Sequence, residues 1–180
     1  MAVTIAKEKY PAFTGEVGVS GKRIILYINY GTGASEASPK WIKLGGLTSN
    51  THSVSAEVKT AQTKDTGYWA DGVVTSKTHE LDAEVVMRRD NEAQKVIEEF
   101  LYDDAITAEK GALQFAIVDL DTKEYVVGKY VPTSWEKTAD GEDVVSYSLK
   151  ATGVGAPVKK TGFVAVSYTH LRAHETTLHL

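Results

Sequence analysis

From residue 22 onward the chain is written mostly in a two-residue period. Over residues 22–30, Ile24, Leu26, Ile28 and Tyr30 share one face while Ile25 and Tyr27 share the other, which predicts a strand buried on both sides. Gly31-Thr-Gly-Ala-Ser-Glu-Ala-Ser-Pro39 breaks it as a loop, residues 41–44 resume a short strand, and Gly45-Gly46 turns the chain. Residues 53–59 alternate with Val54, Ala56 and Val58 inward and Ser, Glu and Lys outward. Residues 78–88 alternate again, with Leu81, Ala83, Val85 and Met87 on one side and Glu80, Asp82 and Glu84 on the other. Between these two, residues 60–76 are polar around Gly67-Tyr-Trp-Ala-Asp-Gly72. They read as a loop longer than most connections in a compact domain, and such loops are usually functional.

A helical period occurs once, at about residues 91–102, where Ala93, Val96, Ile97, Phe100 and Leu101 make one apolar stripe. Asp90 or Asn91 is placed to cap it. Three more strands follow at residues 112–120, 124–131 and 143–151, separated by turns around Asp119 to Lys123 and Ala139 to Glu142. The expected fold is mainly β: a β-sandwich or distorted barrel with one flanking α-helix, preceded by an arm over residues 1–21.

Composition narrows the chemistry. In 180 residues there is no Cys, so a disulfide framework, a thiolate metal site and a cysteine nucleophile are all excluded. Twenty Lys and Arg against 24 Asp and Glu give a net charge of −4, with the cations scattered along the chain. Tight electrostatic binding to nucleic acid is therefore disfavoured. The first charges arrive before an apolar run could form near the start, so neither a signal peptide nor a membrane span is expected and the default compartment is the cytoplasm of whatever cell makes the chain.

Residues 166–180 break the pattern. Val166-Ser-Tyr-Thr-His-Leu-Arg-Ala-His-Glu-Thr176 reads as the translation of a transposase-type sequencing adapter, and these residues are set aside as non-native in origin. The domain proper is then residues 22–165. With the tail go His170, His174, Glu175 and His179, whose spacing is the best metal-ligand pattern in the chain. His52 and His79 are the histidines that remain.

The other candidates carry little. Gly31-x-Gly33 follows a strand but lacks a third Gly and a following helix, so it reads as a plain loop. Asp119-x-Asp121 with Glu124 lacks the Gly and the distant Glu of a calcium loop and reads as a turn. His79 beside Glu80 points to the opposite face of a strand, and no Gly-x-Ser-x-Gly accompanies either histidine. No catalytic residue, metal or cofactor is expected, and an enzyme is the weakest class. Trp41, Trp69 and Trp135 leave room for a monomeric binding module with stacking platforms, for example for carbohydrate. Such a module would place them coplanar and exposed along a groove.

Lys64-Asp-Thr-Gly-Tyr-Trp-Ala-Asp-Gly72, then Thr78-His-Glu-Leu-Asp-Ala-Glu-Val-Val-Met-Arg88 and the helix, resembles the major tail proteins of long, non-contractile-tailed phages. The likeness extends upstream to Leu26-Tyr-Ile-Asn-Tyr-Gly-Thr-Gly33 with Trp41 and downstream to residues 146–153. It implies a subunit that forms six-membered rings stacked into a tube, joined to other tail proteins, through which phage DNA passes without sequence-specific contact. It further implies a virion tail location after assembly in the host cytoplasm. In that reading Glu80, Asp82 and Glu84 are candidates to face the lumen, where carboxylates repel phosphate. Lys64, Asp65, Tyr68, Trp69 and Asp71 are candidates for contacts between subunits. A tail terminator or the tube of an injection apparatus is the related alternative.

Overall fold

A computed structural model describes residues 20–61, 64, 69–141 and 143–165. Seven antiparallel strands form one sheet: β1 (Ile24–Asn29), β2 (Trp41–Lys43), β3 (Leu47–Ala61), β4 (Asp71–Val86), β5 (Leu113–Asp119), β6 (Tyr125–Thr138) and β7 (Ser146–Lys160). Their order across the sheet is β2-β1-β5-β6-β7-β4-β3. The two edge strands, β2 and β3, are separated in sequence only by Leu44, Gly45 and Gly46. A sheet whose opposite edges are so tethered must curl on itself, and the result is the distorted barrel among the expected architectures. Gly46 makes the tether possible: its φ is +75°, and a Cβ there would lie 2.2 Å from the Val86 carbonyl oxygen.

The concave side of the sheet holds the main core. Leu26 and Ile28 of β1, Phe115 of β5, Tyr130 of β6, Leu149 and Ala151 of β7, and Leu81, Ala83 and Val85 of β4 belong to one buried cluster. It is closed by Ala93, Val96 and Ile97 of helix α1 (Glu92–Tyr102). Helix α1 follows the predicted span. Its cap is Asn91, whose side-chain oxygen accepts from the Gln94 amide at 3.1 Å while its Nδ2 donates to the Lys43 carbonyl.

Gln94 is buried in this wall, and its polar atoms are fully occupied. Nε2 donates to the carbonyls of Gly45 and Val86 at 2.8 and 2.9 Å, and Oε1 accepts from the Arg88 amide at 2.9 Å. One side chain thus ties the helix, the β2–β3 turn and the end of β4 together. A second short helix, α2 (Asp104–Lys110), follows α1 and buries no residue, which is why the apolar period gave no sign of it.

The other face of β1 is covered as well. Tyr27, Trp41, Ala116, Val118, Val127 and Phe163 make a second cluster. Phe163 lies 4.7, 5.1 and 6.1 Å from the rings of Tyr27, Tyr125 and Trp41. The two-sided apolar pattern of β1 therefore records the barrel core on one side and the segment after β7 on the other.

Candidate assembly surfaces

Where β3, β4, β7 and β6 run side by side, their convex face is open. The register aligns three rows: Ser53, Glu80, Thr152 and Val131; Thr51, Asp82, Lys150 and Ser134; Ser49, Glu84, Ser148 and Glu136. Directly paired residues share a face, and all twelve positions are exposed or half-buried. On the opposite face of β4, Leu81, Ala83 and Val85 are buried as the alternation requires. The lattice thus carries four carboxylates, Glu80, Asp82, Glu84 and Glu136, against the single ammonium of Lys150, on a ground of mostly Ser and Thr. The sequence pointed to the first three. Lys150 and Glu136 were missed, because which residue of β7 or β6 stands beside Asp82 or Glu84 depends on pairing register.

β3 and β4 continue well past this lattice. β7 pairs with β4 only from Glu80 to Val86, and beyond it β7 stays with β6, through to the Tyr125 and Lys160 pair. The sheet forks there, and residues 54–61 and 71–79 project as a two-stranded ribbon about 26 to 30 Å long, at roughly 3.3 Å per residue. The expected loop over residues 60–76 is thereby corrected: β3 runs through Ala61, β4 begins at Asp71, and the connection is residues 62–70. Val54, Ala56 and Val58 are not inward either. Val54, Val58 and Val74 are 59%, 51% and 51% exposed, on the face continuous with the core but beyond its reach. The reverse face is polar apart from Val73, which is 67% exposed opposite Lys59, with Ser55 bonded to Thr78 at 2.8 Å and Ser76 donating to Glu57 at 3.1 Å.

Of the loop candidates, Lys64 is exposed, Trp69 is 85% exposed at the ribbon's tip, and Asp71 is exposed where β4 begins, opposite Ala61. Asp65 and Tyr68 lie outside the described residues, as do the 1–19 portion of the arm and residues 166–180. The tryptophans do not form a platform. Trp41 is buried under Phe163, Trp135 stacks on Tyr147 at 4.6 Å beside the core, and Trp69 stands apart.

The weaker motifs have structural roles. The Asp119 carboxylate accepts from the amides of Asp121 and Thr122 at 2.8 and 3.4 Å, bonds that hold its pKa below the ordinary value. Asp121 in turn pairs with Arg23 at 2.8 Å. Among the described residues no three His, Asp or Glu gather as metal ligands, and no helix is long and apolar enough to cross a membrane.

Comparison with known proteins bears on the family and the fold. A family profile described as phage tail tube protein matches residues 18–159. No curated protein matches the chain. Among solved structures, the chain is similar to the tail of an empty gene transfer agent particle determined with C6 symmetry: 16% identity, TM-score 0.64, covering 80% of this chain and all of that one. It is also similar to the SPP1 tail tube: 14% identity, TM-score 0.62, covering 82% and 81% of the two chains. A third likeness is to the sheath–tube complex of an extracellular contractile injection system, at 9% identity and TM-score 0.56, covering 88% and 100%.

Proposed function

The chain belongs to the phage tail tube protein family, and from that premise we propose that it assembles as six-membered rings stacked into the tube of a virion tail, with the ribbon of β3 and β4 as its connector. It is a structural protein of the tail, not an enzyme. The observation that carries the proposal is the ribbon itself. A two-stranded ribbon is at best marginally stable in water, yet this one exposes Val54, Ala56, Val58 and Val74 in a row on one face. Apolar surface left uncovered on a projecting element marks a contact to be completed by another chain. A neighbouring copy supplies that cover, and Trp69 and Asp71 at the tip extend the reach to the next ring. The six-fold symmetry of the gene transfer agent tail supports the ring count.

The twelve-position lattice is the surface we assign to the bore. Its hydroxyls and excess of carboxylates offer DNA no cation-rich groove, and phosphate is repelled as it passes. The subunit is made in the host cytoplasm and meets other tail proteins at the ends of the tube. Electron microscopy of the purified protein tests the reading. Wild type forms hollow tubes, while the double change Val54→Lys and Val58→Lys leaves a folded, soluble subunit that forms none. Tubes of ordinary length from the variant would overturn the connector role.

A further inference from the structure

The fork where the ribbon leaves the sheet contains polar groups that neither the core nor the bore uses. His79 is the last residue of β4 before β7 takes over, and it is buried. Its ring lies flat against Gly153 of β7, where a Cβ would stand 2.1 to 2.3 Å from three ring atoms. Nε2 donates to the Gly155 carbonyl at 3.1 Å, which in the neutral ring leaves Nδ1 as a lone pair, buried and without a partner. Diagonally across the ladder sits His52 of β3, its ring 6.1 Å away and its Nε2 also buried without a partner. Tyr130 of β6 packs edge-on to His79 at 4.8 Å, with its hydroxyl unpartnered.

We propose that His52 and His79 form an acid-sensitive latch that holds the root of the β3–β4 ribbon against β7 when neutral and releases it when protonated. Among the described residues, nothing at the fork compensates a positive charge. From β3 the facing groups are His52, Val54 and Ala56; from β6, Tyr130; from β5, Phe115; from β7, only the glycine backbone. Tyr130 stays neutral, its pKa pushed up to about 12 by burial. The next side chain of β4 on this face is Lys77, a cation, while Glu80 and Asp82 lie on the convex face. Among the described residues His79 Nδ1 has no acceptor within hydrogen-bond distance for a second proton, and charge on one ring opposes charge on the other. The ring must leave the fork to be hydrated, and with it go the bond to Gly155 and the packing on Gly153 that hold the ribbon's root to β7.

The direction in pH follows from linkage. Burial, and secondarily the neighbouring His79, lower the pKa of His52 from its ordinary 6.5. The open fork therefore binds protons more readily than the closed one. The latch is at full strength above pH of about 6.5 and weakens as pH falls below it.

Hydrogen exchange of the single subunit at pH 7.5 and 5.5, corrected for the chemical rate, reads the latch directly. Amides of residues 77–81 and 152–155 are expected to open about tenfold more readily at pH 5.5, with amides of β1 and β5 unchanged. His52→Gln, at the less buried position, removes one of the two charges and should cut that ratio to threefold or less. Equal acceleration of fork and core amides would overturn the latch, as would an undiminished ratio in the variant. The consequence for assembly, loss of tubes at pH 5.5, rests on the connector reading. Tubes that persist while the fork opens would refute that reading and leave the latch standing.

Discussion

Replacing Glu80, Asp82 and Glu84 together by Lys reverses the lattice from four carboxylates and one ammonium to one carboxylate and four ammoniums. Each subunit gains six charges, and its lattice passes from a net −3 to +3. The fold should survive. Neighbouring acids two apart on β4 stand about 6.8 Å from one another, so each like-charge pair repels by about 0.6 kcal/mol in water, and three lysines repel as three acids did. What changes sign is the cross-strand neighbour pair of residue 82 and Lys150. At about 5 Å the swing from attraction to repulsion is about 1.7 kcal/mol before screening, and roughly half that at physiological salt. That is small against the 5 to 15 kcal/mol of a typical domain, and no buried apolar contact is touched.

The effect on DNA is of another order. With four phosphates held by the three new lysines and Lys150, affinity falls with salt at a logarithmic slope of about −3.6, so raising salt from 50 to 200 mM releases DNA about 150-fold. Particles carrying the variant should therefore assemble but eject their genome slowly at low salt, recovering as salt rises. The Gln triple variant, which leaves Glu136 opposed by Lys150, should eject normally at every salt. If assembled Lys-variant particles eject at the wild-type rate at 50 mM salt, these carboxylates do not face the bore.

Other consequences are local. Ending the chain after Ala165 should shift unfolding free energy by less than about 1 kcal/mol, whereas Phe163→Ala, which empties the space between Tyr27, Trp41 and Tyr125, should cost about 3 kcal/mol in denaturant titration; equal effects would contradict the boundary. Gln94→Ala strands the Gly45 and Val86 carbonyls and the Arg88 amide together, and a loss of about 2 to 3 kcal/mol is expected by the same measurement. A loss below 1 kcal/mol would mean that water replaces the side chain there.

What could be read from the sequence was whatever a buried face stamps on it. The acids of β4 stood out because Leu81, Ala83 and Val85 set the period, and α1 because its stripe meets the core. The ribbon misled on both counts. Val54, Ala56 and Val58 repeat like core residues, and alternation alone cannot tell a face turned to its own core from one held for another copy. Residues 71–76, with no buried side to impose a period, looked like loop although they belong to strand β4. His52 and His79, each unremarkable alone, become a pair only through the diagonal register of β3 and β4.

The same geometry explains why the proposed connector, bore face and latch lie in one corner of the molecule. β7 can follow only one partner beyond Thr152, and it follows β6. β4 and β3 thereby lose their neighbour on one edge and their core on one face at the same residue, and the ribbon begins. At that fork a side chain must fill the wedge between diverging strands while bonding the backbone that β7 no longer pairs with β4. A planar ring with a donor at its edge does this where β7 offers glycine, and His79 against Gly153 and Gly155 is that solution. A Phe would fill the wedge and leave the Gly155 carbonyl unbonded; a Lys would bond it and bring a charge into the core. The imidazole meets both demands at once, so the residue that makes the fork possible is also the one on which the proposed latch turns.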